Sequence, residues 1–197
     1  MHKPFSEACQ RNQEPIKVVL SQYLSSGNLL EVGSGTGQHA VYMGQAFRDI
    51  IWNTSDHIDY HKGIKSWIND SGQKNVIEPI FYLASSAEFP KNKYNYVYSA
   101  NTLHIMSWAN CKTLFKDLGD NLDKDAYVFF YGPFKYNEQF TSKSNESFDH
   151  KLRSRGVGSA IRDFEDVKSQ MEKEGFELEN DHVMPANNQI LVFKKAT

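Results

Sequence analysis

The sequence predicts an α/β protein built on an open, mostly parallel sheet. Three observations predict it. An apolar strand over residues 28–32 runs into a glycine-dense turn and then a helix. Strand-like and helix-like patterns alternate after it through residue 173. Finally, the last two strands, 176–184 and 189–194, are separated only by Pro185-Ala186-Asn187-Asn188, too short for a crossover helix, so they pair antiparallel.

The elements follow in order. Ile16, Val19, Leu20 and Tyr23 have helical spacing, so residues 12–24 are expected to form a helix with Pro15 in its first turn. Gly27 ends that unit. A helix over 38–47 follows the glycine turn, then a strand over 50–54 and a helix over 57–70 that Gly72 terminates. The third strand, 76–83, contains Pro79, which confines it to a sheet edge. Residues 94–100 form the fourth strand and 108–122 a helix. The continuous apolar run 126–131 suits a buried parallel strand. A long polar, aromatic-rich loop is expected over 132–144, with short helices over 145–153 and 163–173, the latter ended by Gly175.

Composition narrows the function classes. The 197 residues, 40% hydrophobic and 23% charged, suit one ordinary globular domain spanning 1–197. A net charge of −2 gives none of the basic footprint of a general nucleic-acid binder. No apolar run approaches the ~18 residues of a membrane span, and residues 1–13 lack a signal-type apolar segment. Cys9 and Cys111 stand far apart in no metal-type spacing, which suggests a reduced, cytoplasmic setting. The many aromatic residues, 13 Phe, 10 Tyr and 3 Trp, mostly build the core.

The glycine turn carries the most chemistry. It reads Leu30-Glu31-Val32-Gly33-Ser34-Gly35-Thr36-Gly37-Gln38-His39. Without Cβ atoms, Gly33, Gly35 and Gly37 let the backbone take positive φ and let a ligand lie against it. A dinucleotide fingerprint would need its third glycine at position 38, which is Gln38. Glu31 would be unfavourable beside a pyrophosphate but favourable beside an ammonium and a sulfonium. S-adenosylmethionine is therefore the expected cofactor, ahead of a nicotinamide dinucleotide or a helix-entry turn that binds nothing. Asp56 ends the second strand about 20 residues after the turn, where a ribose-binding carboxylate belongs; a helix cap is the competing role.

Strand ends at one rim of such a sheet converge. Asn101-Thr102-Leu103-His104 follows the fourth strand and Tyr131-Gly132-Pro133-Phe134 the fifth. His104 is a candidate general base, with a structural histidine as the alternative, and Tyr131 a candidate hydrogen-bond partner in the substrate pocket. No Asn/Asp-Pro-Pro-aromatic motif follows the fourth strand, which argues against methylation of nucleobases or glutamine. His57 and His61 have the spacing of a metal pair, but a solvated helix face is the better reading, and no metal is expected. Lys151, Arg153, Arg155 and Arg162 form a basic cluster that could take an anionic group, with a solvated surface as the equal alternative. Arg11 and Asn12, ahead of the first expected helix, could fold over the cofactor.

Taken together, these segments resemble a small methyltransferase-like family within the class I S-adenosylmethionine-dependent methyltransferases. The resemblance runs nearly end to end: residues 5–12, 30–40, Ser55-Asp56, 101–105, 131–134, Ser144-Asn145, Phe148-Asp149, Leu152-Arg153, 161–163 and 185–188. It implies a Rossmann-like sheet of seven strands in the order 3-2-1-4-5-7-6, with the last strand antiparallel. It also implies cofactor binding by Glu31, Gly33, Gly35, Gly37, Asp56 and Asn101. Relatives carry an Asp at the end of strand three; here that region reads Phe81-Tyr82-Leu83-Ala84-Ser85-Ser86, so the adenine contact falls to a backbone carbonyl, Ser85 or Asn101. The expected protein is a methyltransferase for a small molecule, monomeric or homodimeric, with His104 or Tyr131 in catalysis. The rival readings are a non-catalytic S-adenosylmethionine-binding module with a protein partner, and a nicotinamide-dependent oxidoreductase.

Overall fold

A computed structural model describes residues 3–196 and divides into two compact units, one up to Tyr98 and one from Ser99. In the first unit, Ser6 caps helix α1 (Glu7–Leu20) by accepting from the Cys9 N–H at 3.3 Å. The helix therefore starts well before residue 12, the start expected from apolar spacing. Arg11 and Asn12 lie inside it and not on a segment ahead of it, and Pro15 sits in its interior. The first-turn apolar signal is missing there because this end of the helix meets polar partners, described below.

Strand β1 (Gly27–Val32), helix α2 (Gln38–Ala46), strand β2 (Ile50–Asp56), helix α3 (Ile58–Ser71) and strand β3 (Val76–Phe81) follow in the expected order. Strand β1 pairs in parallel with β2 and with β4 (Tyr96–Ala100), setting Glu31 opposite Thr54 on one side and Tyr98 on the other. Gly72 closes α3 in a left-handed conformation, φ 65°. Leu29, Leu30 and Trp52 are fully buried and anchor this unit's core.

The second unit continues through α4 (Trp108–Asn121) and β5 (Tyr127–Gly132), then α5 (Lys143–Arg153), α6 (Phe164–Lys173), β9 (Phe176–Met184) and β10 (Asn188–Lys195). Residues 132–144 are not the structureless loop that their polarity suggested. They supply β6 (Phe134–Tyr136) and β7 (Gln139–Phe140), which join β8 (Arg162–Asp163) in a small sheet of order β7-β6-β8. Strands this short carry too little alternation to show in sequence. A short 3₁₀ turn, Pro185–Asn187, connects β9 and β10, which pair antiparallel; β10 pairs antiparallel with β5, Gln189 opposite Gly132 and Ile190 opposite Tyr131.

The main sheet has seven strands in the order β3-β2-β1-β4-β5-β10-β9. Counting only its own members, this is 3-2-1-4-5-7-6, as expected, and the strand holding Pro79 is at its edge.

Candidate functional site

In the first unit the glycine turn is fastened to the end of β2. The N–H groups of Gly33 and Ser34 both donate to the Ser55 carbonyl, each at 3.0 Å, and the Ser55 hydroxyl donates to the Glu31 carbonyl at 2.7 Å. Two of the glycines answer different demands. At Gly37 (φ 89°) a Cβ would stand 2.9 Å from the Ile64 Cα, so this glycine lets α2 approach α3. At Gly35 (φ 55°) a Cβ would meet nothing within 4 Å, so this backbone faces open space. One carboxylate oxygen of Asp56 accepts from the Gly35 N–H at 2.7 Å, and the other accepts from the His57 N–H at 2.7 Å. Asp56 thus braces the turn, and each oxygen retains a lone pair for a further donor. Burial raises its pKa, against the pull of those two N–H groups.

Glu31 is buried, with the Trp52 indole donating to it at 3.0 Å. Burial pushes its pKa up to about 7, opposed by Trp52 and Ser34 and assisted by Asp56. The first turns of α1 close over this region. Ser6 N–H donates to the Gln38 side-chain carbonyl at 2.5 Å, and the Gln38 amide donates back to the Ser6 carbonyl at 3.3 Å. His39 lies between Asn12 (2.7 Å, at Nε2) and the Tyr98 hydroxyl (3.3 Å, at Nδ1). Since the Asn12 carbonyl oxygen only accepts, Nε2 carries the proton and Nδ1 accepts from Tyr98. Burial brings the His39 pKa down to about 4, so the ring is neutral. Asn12 is therefore a tether, while Arg11 pairs with Glu7 on the exposed face at 3.3 Å. Neither folds over the turn as a separate lid. The His39 network was not anticipated, although His39 stands next to the glycine motif.

A cavity of about 400 Å³ opens beside Gly35 and Thr36, with Pro4, Tyr60 and Gly63 among its other walls. His57 caps α3 by accepting from the Asp59 N–H at 3.3 Å, and His61 Nε2 bonds the Asp56 carbonyl at 3.0 Å. The two imidazoles have separate local partners, and among the described residues no cluster of His, Cys, Asp and Glu suits a metal ion.

In the second unit, Asn101, His104 and Tyr131 come together. Asn101, at φ 57°, donates its N–H to the Tyr131 carbonyl at 2.8 Å. A Cβ on Gly132 would stand 3.5 Å from His104 Nδ1 and 3.9 Å from the Asn101 side-chain oxygen, so the absent side chain leaves both polar groups along that strand end. His104 is buried, with the Phe148 ring edge-on at 5.3 Å. Burial brings its pKa down to about 4, helped by Arg162 and Arg155, so its ring is neutral. Tyr131 is buried at the end of β5.

The basic cluster does not converge on an anion. Arg162 is buried and donates to the carbonyls of Leu103 (3.0 Å), Gly158 (2.9 Å) and Met106, which staples the His104 segment. Arg153 pairs with Asp149 at 2.5 Å. Lys151 and Arg155 are exposed. A cavity of about 790 Å³ in this unit is lined by Trp108, Lys135, Arg162, Asp163 and Glu165 among others, but not by Asn101, His104 or Tyr131. Several of its charges have partners: Lys135 pairs with Asp163 at 3.4 Å, and Glu165 accepts from the Asn137 N–H at 3.1 Å.

The sheet order and the glycine turn at the end of β1 define a class I, S-adenosylmethionine-dependent methyltransferase fold, and solved structures agree. The S-adenosylmethionine-dependent methyltransferase SibL in its apo form superposes with a TM-score of 0.81 at 16% identity, over 96% of this chain and 56% of that one. An O-methyltransferase family protein from Burkholderia thailandensis gives 0.81 at 10% identity, over 97% and 58%. NcsB1, an O-methyltransferase from neocarzinostatin biosynthesis in complex with S-adenosylmethionine and 2-hydroxy-5-methyl naphthoic acid, gives 0.76 at 12% identity, over 95% and 54%. The chain spans a little over half the length of these structures. Residues 3–195 match the model of the family described as "Protein of unknown function (DUF938)", and the chain belongs to that family.

Proposed function

We propose that this protein is an S-adenosylmethionine-dependent methyltransferase acting on a hydroxyl-bearing small molecule. The observation that carries the reading is the open face of Gly35, braced by Asp56 on β2 and backed by the buried Glu31 on β1. A cation of a phosphate-free nucleoside suits a turn with two carboxylates at its edge, and a pyrophosphate does not. Glu31 anchors the methionine end, Gly33, Gly35 and Gly37 admit the cofactor, and Asp56 accepts from the ribose hydroxyls. When bound, the cofactor supplies an electrophilic methyl group.

The chain's own contribution is alignment and a proton acceptor. His104 is neutral, so a ring nitrogen can receive the proton of the nucleophile's O–H as the oxygen attacks. Tyr131 orients the nucleophile. The neighbours named above lend no support to a nicotinamide enzyme or to a non-catalytic binding module.

Calorimetry with S-adenosylmethionine, S-adenosylhomocysteine and NADH tests the cofactor. Incubating cell extract with labelled S-adenosylmethionine, with and without the protein, tests the activity. Heat with NADH alone, or no labelled small molecule beyond the control, would overturn the proposal.

A further inference from the structure

The loop after α5 is bound tightly to the segment that carries His104. The Ala160 N–H donates to the His104 carbonyl at 3.0 Å, and the Ser159 hydroxyl donates to the Ile105 carbonyl at 2.6 Å. Gly158, at φ 78°, lies so close to Ser107 that a Cβ would stand 3.1 Å from the serine Cβ. Arg162 holds Gly158 and Leu103 together from behind. Residues 158–160 are therefore held against the His104 segment, and residues 154–157 lead into them from α5.

Three features cluster around that segment. Ile105 and Val157 are 51% and 63% exposed, although they extend from the two segments being joined. The Phe148 ring stands edge-on to the His104 imidazole. The Arg155 side chain has no carboxylate partner among the described residues, whereas Arg153 has Asp149 and Arg162 has three carbonyls. Lys151 is also exposed, but it lies on α5 and nothing ties it to His104. The Arg155 charge adds to burial and to Arg162 in lowering the His104 pKa.

We propose that Arg155 is a specificity-determining residue that takes a carboxylate of the substrate, so that the molecule methylated is an apolar-bodied hydroxy acid. This inference rests on the methyltransferase reading of the same site. A planar guanidinium binds a carboxylate through two parallel hydrogen bonds. The apolar body would lie on Ile105, Val157 and Phe148, and the hydroxyl would face His104. The bound carboxylate also offsets the two arginine charges, which makes the imidazolium formed by proton transfer less costly.

Saturation-transfer NMR and equilibrium dialysis with 2-, 3- and 4-hydroxybenzoate and 4-hydroxycinnamate, each beside its methyl ester, test the proposal without requiring turnover. At least one acid should bind the wild type about tenfold or more tightly than its ester, as loss of a charge-assisted pair would give. Arg155→Gln should remove that preference, Arg155→Lys should keep part of it, and Lys151→Gln should leave it intact. Binding of S-adenosylmethionine, measured in parallel, should not change in Arg155→Gln. Acids and esters binding alike, no acid binding, or an equal effect of Lys151→Gln would overturn the inference. If the wild type ignores S-adenosylmethionine yet selects acids through Arg155, the methyltransferase reading fails while acid recognition holds.

Discussion

The Trp52 indole donates its N–H to the Glu31 carboxylate at 3.0 Å across the β1–β2 pair, and both side chains are buried. A buried carboxylate depends on such a donor to carry charge. Trp52→Phe keeps most of the packing and removes the donor. It should cost about 1–3 kcal/mol at pH 8 and less at pH 5, where the carboxyl is protonated in the folded protein. Urea denaturation at the two pH values measures the difference; equal losses would mean that packing alone is responsible.

Cofactor affinity should follow the ionisation of Glu31. Its pKa of about 7 means that the carboxylate form declines below neutrality. If that carboxylate anchors the cationic end of S-adenosylmethionine, the Kd should rise by up to about tenfold per pH unit on going from pH 7 to pH 5.5. Glu31→Gln should bind more weakly at pH 7 and lose the pH dependence. Calorimetric titrations across this range decide it, and parallel slopes in the two proteins would remove Glu31 from the cofactor site.

Fold stability should depend on pH through groups of opposite sign. His39 and His104 have folded pKa values lowered to about 4, so between there and their ordinary range the unfolded chain binds more protons. The fold thus loses stability as pH falls through that interval, about 3 kcal/mol for each histidine. Glu31 has a raised pKa, so the folded state binds more protons than the unfolded one, and stability falls as pH rises from about 4.5 to about 7. The two histidines outweigh the one carboxyl, so the wild type should weaken toward pH 4.5. Glu31→Gln should steepen that loss and His39→Gln should flatten it, as thermal unfolding across pH will show.

His104→Gln should leave the calorimetric affinity for S-adenosylmethionine unchanged and reduce methyl transfer by about 10²–10⁴-fold, the usual contribution of a general base. Tyr131→Phe should have a smaller effect on turnover. Full activity in either variant would take that residue out of the mechanism.

Arg162→Met should act on folding and not on anion binding. It leaves the carbonyls of Leu103, Met106 and Gly158 without their buried donor, and should cost about 3 kcal/mol or more. A fall in melting temperature, with no heat release when inorganic phosphate is added to the wild type, is the expected result. A wild-type melting temperature retained in the variant would contradict the staple.

Much of this protein is legible in its sequence because local chemistry and topology agree. The glycine spacing, Glu31 and Asp56 lie within one strand-turn-helix unit and its neighbouring strand, and the structure brings them together. Pro79 announced an edge because it lacks the N–H a central strand needs. The start of α1 was misplaced because its first turns face polar partners, Gln38 and His39, and so show no apolar period.

The alternating elements, the antiparallel final pair and the acid-flanked glycine turn are all readable along the chain, since each depends on residues close in sequence. Only the tertiary structure decided which charges are free. Arg153, Arg155 and Arg162 look alike in sequence, yet one meets Asp149, one meets buried carbonyls, and one remains in solvent. The physical reason is that a guanidinium's role is set by the acceptors that folding brings within hydrogen-bond reach, and those acceptors come from residues up to 59 positions away.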